Sequence, residues 1–283
     1  MRQVLNLFKL RIGVAIAFAA AAGLAVERGA APGVWQAVVL VLAVLVASAA
    51  AGAFNQYVER DLDARMARTR GRPFVTGTLQ HGPFWLWVIG AMIAAACLSA
   101  AIAANVPAAV YVFLGAFTYG VVYTVWLKRR TWWNIVIGGL AGSFAVLAGA
   151  AAVSPVPGPE ALALAVVLFL WTPPHFWSLA IACRADYAAA GVPMLPVVVG
   201  DARAARAIFI GAVLLVAASL VPAAFGLGWT YLAAAAAGGA FFLHKCVALV
   251  RQPGRETARA AFLASLLQLG AVLAGAMLDA ALS

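Results

Sequence analysis

Long apolar runs recur along almost the whole chain, at about residues 10–27, 34–58, 84–104, 107–126, 134–153, 160–182, 205–224, 228–248 and 259–280. Each approaches the roughly 20 apolar residues that a helix needs to cross a bilayer. Hydrocarbon offers no hydrogen bonds, so a spanning segment must satisfy its own backbone, and runs of this length do so as helices. The pattern predicts an all-α polytopic membrane protein, a bundle of about nine transmembrane helices, with residues 1–283 forming a single transmembrane domain. Composition agrees: 66% of residues are hydrophobic, 10% are charged and the mean hydropathy is +1.00. Most connections are short and carry Pro or Gly, as at Ala31-Pro32-Gly33, Asn105-Val106-Pro107 and 154–159.

A net charge of +10 would suit a nucleic-acid partner, but the charges sit in short loops between the apolar runs, so membrane topology explains them and no nucleic acid is expected. With nine crossings, every one of the 19 Lys and Arg residues except Arg28 falls on one side. Arg2, Lys9 and Arg11 precede the first helix, and Lys128, Arg129 and Arg130 lie between the fourth and fifth. The positive-inside rule then predicts a multi-pass protein of the cell inner membrane, N-terminus cytoplasmic and C-terminus periplasmic. The basic start also resembles a signal peptide, but the apolar pattern simply continues, and a retained first helix is expected. Cys97, Cys183 and Cys246 show neither metal nor disulfide spacing.

Against this background the end of the second helix stands out. Of nine Asp and Glu residues in the chain, Glu59, Asp61 and Asp63 crowd together, with Arg60, Arg65, Arg68, Arg70 and Arg72 around them. Asn55, Glu59 and Asp63 are spaced i, i+4, i+8, which on a helix makes one stripe with about 6 Å between steps. Two carboxylates and an amide are hard oxygen ligands of the kind that hold Mg²⁺ beside substrate phosphates. Arg68 and Arg72, four apart, suit a phosphate clamp. Asp61 points elsewhere and is expected to pair locally with Arg60. The alternative is a solvated, self-paired loop that only marks the membrane boundary. Asn55 and Glu59 argue against it, because ionisable or strongly polar groups at an apolar helix end are costly and usually functional.

The string Asn55-x-Tyr57-x-Glu59-Arg60-Asp61-x-Asp63-x-x-Met66-x-Arg68-Thr69 resembles the first acidic motif of the UbiA-type intramembrane prenyltransferases, and among them the heme O synthase family. It departs at Glu59, where that family usually has Asp. A second match covers Tyr123-Thr124, Leu127 to Thr131 and Asn134 to Gly139. The resemblance implies that Lys128, Arg129 and Arg130 contact diphosphate and that Asn134 is a polar contact in the cavity; for Arg129 and Arg130 a plain topology signal is the other reading. A third match runs from Pro173-Pro174-His175-Phe176-Trp177 through Asp186-Tyr187 to Pro196. There the family usually carries two adjacent aspartates. This chain has Ala185-Asp186, so one carboxylate remains for a second Mg²⁺, and Arg184 takes phosphate charge directly. Tyr187 belongs to the same substrate-binding string. His175, after two prolines expected to break the helix and free carbonyls, is either an iron ligand or a buried histidine bonded to such a carbonyl. Trp132, Trp133, Trp171 and Trp177 read as interfacial belt residues.

What the resemblance implies is a Mg²⁺-dependent transfer of farnesyl from farnesyl diphosphate to the 2-vinyl group of protoheme IX (heme B), with water addition, giving heme O and diphosphate. The site would face the cytoplasm, and a heme-A-synthase or terminal-oxidase assembly factor is the expected protein partner. Asn55, Glu59 and Asp63 would hold the metal, with Asp186 for a second ion, and Lys128 would act in catalysis. One rival is a family member acting on an aromatic acceptor such as 4-hydroxybenzoate, against which Asn55-Gln56 argues. The other is a transporter, whose helices would be broken near the midplane in two matching halves.

Overall fold

The computed structural model describes residues 6–30 and 32–283; Arg2 and Ala31, used above, lie outside them. Its described residues are helical and form no strand. Among the described residues the nine long helices are α1 (Leu10–Val26), α2 (Val34–Val58), α3 (Pro83–Ala103), α4 (Val106–Leu127), α5 (Asn134–Val153), α6 (Pro159–Ala182), α7 (Asp201–Ala224), α8 (Trp229–Arg251) and α9 (Arg255–Leu282). Eight of them run 20 to 28 residues; α1 has 17, the short end of the spanning range.

Contacts at the two ends settle how the chain threads. At one end the turn before α1 meets α2 and α4, and the α2–α3, α4–α5 and α6–α7 connections touch one another. At the other end Arg28 and Glu27, after α1, meet Glu160 and Gly158, before α6. Asp279, near the end of α9, accepts from Gly228 N–H, where α8 begins. The start of α1 and the end of α9 therefore lie at opposite ends of the bundle, and α1 crosses like the others. Helices adjacent in sequence pack side by side all the way round, and α9 returns to α1 and closes the ring.

Small residues let the helices meet. A Cβ on Gly23 of α1 would strike the Val146 carbonyl of α5, and one on Gly149 would strike the Ala20 carbonyl of α1. With no hydrophobic drive between helices in lipid, such close packing is what holds them together.

Three expectations need correction. First, α7 begins at Asp201 and α9 at Arg255, each four residues before the apolar run, because Asp201 and Glu256 lie in helical first turns where acids are favourable. Second, α6 continues through Pro173 and Pro174 without breaking; in a membrane bundle, side chains and neighbours compensate for the missing N–H groups. Third, Trp171 and Trp177 are not belt residues. Trp171 donates Nε1–H to the Ser265 carbonyl of α9 at 2.8 Å, and Trp177 is buried.

Candidate active site

The acidic stripe survives the end of α2. Glu59 sits at a turn before the short helix Arg60–Arg65, yet the i→i−4 bonds run on, Glu59 N–H to Asn55 O at 3.0 Å and Asp63 N–H to Glu59 O at 2.8 Å. Asn55, Glu59 and Asp63 therefore share one face, and all three are at least 98% buried.

Each of the three is held by its own cation. Lys9 Nζ donates to Asn55 Oδ1 at 2.6 Å. Lys128 Nζ donates to Glu59 Oε2 at 2.6 Å. Arg72 Nη1 reaches both Asp63 oxygens, at 2.7 and 2.6 Å. Glu59 Oε1 is buried with no partner among the described residues. Burial, the largest influence, pushes the Lys9 ammonium down to about 7. It also raises the Asp63 carboxyl above the usual carboxylate range, although Arg72 pulls the other way. The cations Lys9, Arg68, Arg72 and Lys128 outnumber the carboxylates Glu59 and Asp63, so the site is built to receive anions.

Part of this geometry comes from a change of helix type. From Thr118 to Leu127, α4 is a π-helix, and Lys128 N–H continues its i→i−5 pattern onto Tyr123 O at 2.9 Å. Such segments are rare and often mark functional sites. The wider turn brings Tyr119, Tyr123, Thr124 and Lys128 together toward α2. Thr124 Oγ1 accepts from Asn55 Nδ2 at 3.0 Å, Tyr119 OH accepts from Lys9 at 3.2 Å, and the Tyr119 and Tyr123 rings stack at 5.5 Å. Gly138 leaves room for the Tyr123 ring. The sequence alone gives Lys9, Gln56 and Tyr119 no place in the site; the only signal for Lys9 is its charge just before the first helix.

The loop after the stripe is tied at several points. Thr69 Oγ1 donates to Asp63 O at 3.0 Å, and His81 stacks on Tyr57 at 4.0 Å beside buried Phe74. The second acidic region closes over it. Asp186 accepts backbone N–H groups from Ala67 and Arg68 at 3.0 and 3.4 Å, and the Arg68 guanidinium lies 6.0 Å over the Tyr187 ring. The helix Arg184–Ala189 ends in a turn at Gly191, φ 69°, where Val192 N–H bonds Tyr187 O at 2.9 Å.

Other predicted residues stand apart from the stripe. Asp61 pairs with Arg129, at 2.8 and 2.9 Å, and not with Arg60. Adjacent residues on a helix do not face each other, whereas the turn after α4 brings Arg129 across. That bond is the main reason the Asp61 carboxyl lies below the usual range. Arg184 reaches Asp201 at 3.5 Å. Asn134 is fully buried; its Nδ2 donates to Thr131 O, and its Oδ1 has no partner among the described residues. His175 bonds a side chain and not a carbonyl: its Nδ1 is 2.7 Å from Ser265 Oγ, with the ring between Trp171 and Phe262 at 4.0 and 4.4 Å.

The stripe has the donor chemistry for a divalent ion. Asn55 Oδ1, Glu59 and Asp63 are hard oxygen donors on one face, and the unpartnered Glu59 Oε1 is a ready ligand. Asp186 accepts two backbone N–H groups, and among the described residues no three His, Cys, Asp or Glu side chains converge, at the stripe or at Asp186.

A ring of apolar helices with a buried acidic stripe and matching cations at one end has the charge pattern of a membrane-embedded site for an anion. Residues 15–268 match the UbiA prenyltransferase family, and the chain belongs to it. The chain is 57% identical over 279 residues to protoheme IX farnesyltransferase 2 of Paramagnetospirillum magneticum, covering 99% of this chain and 97% of that protein. To protoheme IX farnesyltransferase 1 of the same organism it is 47% identical over 266 residues, 94% and 93% covered. The fold resembles a UbiA homologue from Archaeoglobus fulgidus bound to DMAPP and Mg²⁺, with TM-score 0.73, 15% identity, and 95% and 99% of the two chains covered. It is also similar to the apo UbiA homologue from Aeropyrum pernix K1, with TM-score 0.75, 21% identity, and 94% and 97% covered.

Proposed function

We propose that this chain transfers the farnesyl group of farnesyl diphosphate to the 2-vinyl group of heme B with addition of one water, giving heme O and diphosphate. The observation that carries the reading is the stripe of Asn55, Glu59 and Asp63, buried at the end of a membrane helix and faced by Lys9, Arg72 and Lys128. The two Paramagnetospirillum relatives, aligned along nearly the whole chain, support the choice of heme and farnesyl.

Asn55, Glu59 and Asp63 would hold one Mg²⁺, which when bound supplies Lewis-acid neutralisation of the leaving diphosphate. The chain does the rest. Arg72 and Lys128 turn from the carboxylates to phosphate oxygens, and their stabilisation grows as negative charge builds on the leaving group. Arg68, anchored by its backbone to Asp186 and set over Tyr187, adds a third cation. The apolar interior keeps bulk water from the electron-poor farnesyl carbon until the vinyl group attacks; one water then adds to the new cation beside the porphyrin ring and loses a proton, giving the hydroxyl of heme O. Asp186 acts as a tie between two loops. Positive-inside reasoning supports a cytoplasmic site in the inner membrane.

The test is purified protein in detergent with farnesyl diphosphate, Mg²⁺ and either heme B or 4-hydroxybenzoate. Heme O is the expected product. Prenylated hydroxybenzoate with no heme O would overturn the reading.

A further inference from the structure

Lys9 is placed by an unusual amount of structure for a residue at the edge of the membrane. Its φ of 47° is the only positive φ of a non-glycine residue among those described. L-residues rarely adopt that conformation, and it persists where the surroundings impose it, often at functional sites. The surroundings here are specific. Gln56 Nε2 donates to Asn6 O and Leu7 O at 2.9 and 3.0 Å, so a residue next to the acidic stripe fastens the turn. Leu7 is fully buried in a small cluster with Ala50, Ala53 and Phe74. The Lys9 stem packs along Gly52: a Cβ there would touch Lys9 Cβ at 3.4 Å and Cδ at 3.5 Å, ordinary contact, so a branched side chain would be needed to crowd it. The stem thus runs along α2 for one turn and delivers Nζ to Asn55 Oδ1 at 2.6 Å and Tyr119 OH at 3.2 Å.

A divalent ion and an ammonium on one amide oxygen repel strongly in a site this dry. Asn55 cannot serve both. We propose that Lys9 is a diphosphate-binding residue: it gives up Asn55 Oδ1 and moves onto a diphosphate oxygen when metal and diphosphate bind. The inference rests on the stripe being the metal–diphosphate site. It makes Lys9 a competitor for metal alone and a contributor for metal with diphosphate, and this opposition separates binding from mere support of the fold.

The experiment compares wild type with Lys9→Met, which keeps the stem and removes the charge. Mn²⁺ alone is titrated by electron paramagnetic resonance, and Mg²⁺-pyrophosphate by calorimetry, both on full-length protein in detergent. Loss of one charge-assisted hydrogen bond predicts roughly 10- to 100-fold weaker Mg²⁺-pyrophosphate binding. Mn²⁺ alone should bind as tightly as to wild type or more tightly, and Lys9→Arg should recover part of the pyrophosphate affinity. Pyrophosphate binding within twofold of wild type would overturn the proposal, as would parallel loss of both ligands in a protein that melts normally. If Lys9→Met does not fold, Gly52→Val, which displaces the stem, must show the same split, and equal affinities there overturn it. Asp63→Asn is the control for the underlying reading. If it leaves Mn²⁺ binding intact, the stripe is not the metal site, whatever Lys9 does.

Discussion

Lys128→Met should destabilise this protein far more than removing a typical surface charge. Lys128 and Glu59 are 8% and 1% exposed and 2.6 Å apart, and Glu59 Oε1 has no other partner among the described residues. Deleting the lysine strands a buried carboxylate, for which the expected loss is about 3–5 kcal/mol. Adding Glu59→Gln removes the stranded charge, so the double variant should regain most of that loss. The coupling between the sites should then lie at or above the upper end of the roughly 0.5–3 kcal/mol seen for contacting pairs. Activity should behave oppositely: the double variant, though stable, loses a metal ligand and a phosphate-binding cation and should be inactive. Reversible unfolding of the four proteins in mixed micelles, with and without Mg²⁺, measures the cycle. Additive single effects, or a Lys128→Met protein as stable as wild type, would refute the pairing and the exchange of partners built on it.

Asp186→Asn keeps an acceptor for the Ala67 and Arg68 N–H groups, whereas Asp186→Ala removes it; a loop tie predicts a raised KM for farnesyl diphosphate in the alanine variant, with the Mg²⁺ half-saturation unchanged in both. Gly149→Val pushes a side chain into the Ala20 carbonyl, and overpacking of this kind costs about 1–3 kcal/mol, read as a lower melting temperature in detergent. Asp61→Asn should cost under about 1 kcal/mol, because the Arg129 pair is half exposed. Arg129 holds the folded Asp61 carboxyl below its usual pKa, so the pair stabilises above the ordinary carboxylate range and the benefit fades as pH falls through the lowered value. Unfolding curves taken at falling pH should therefore keep wild type and Asp61→Asn apart above the ordinary carboxylate range and bring them together only below it. Asp63→Ala should abolish turnover while the protein still inserts, as a product assay beside a membrane-insertion assay would show.

Most of the fold was legible because lipid leaves a chain few choices. Each apolar run became a helix, and Pro83, Pro107 and Pro159 marked starts, where a missing N–H costs nothing. The charged first turns of α7 and α9 were hidden because hydropathy sees the membrane and not the helix. The stripe was legible from i, i+4 spacing alone; Arg72 stood out by its spacing from Arg68, whereas Lys128 entered only through the family resemblance. What spacing cannot show is which cation faces which carboxylate. Asp61 chose Arg129 over the adjacent Arg60 because helix direction and the turn after α4 decide reach. The π segment was hidden too, since Thr118–Leu127 reads as ordinary apolar helix and its register depends on packing against α2 and α5. Lys9 looked like one more topology charge; only the buried Leu7 and the Gln56 bonds show where it goes.

The most direct test of the account is to locate the metal in crystals grown with Mn²⁺ and an unreactive farnesyl diphosphate analogue. The account predicts one anomalous peak among Asn55, Glu59 and Asp63, with Lys9, Arg72 and Lys128 turned to the phosphates and Asp186 still on the Ala67 and Arg68 N–H groups. A peak at Asp186, or a diphosphate bound while the three cations keep their present partners, would contradict it.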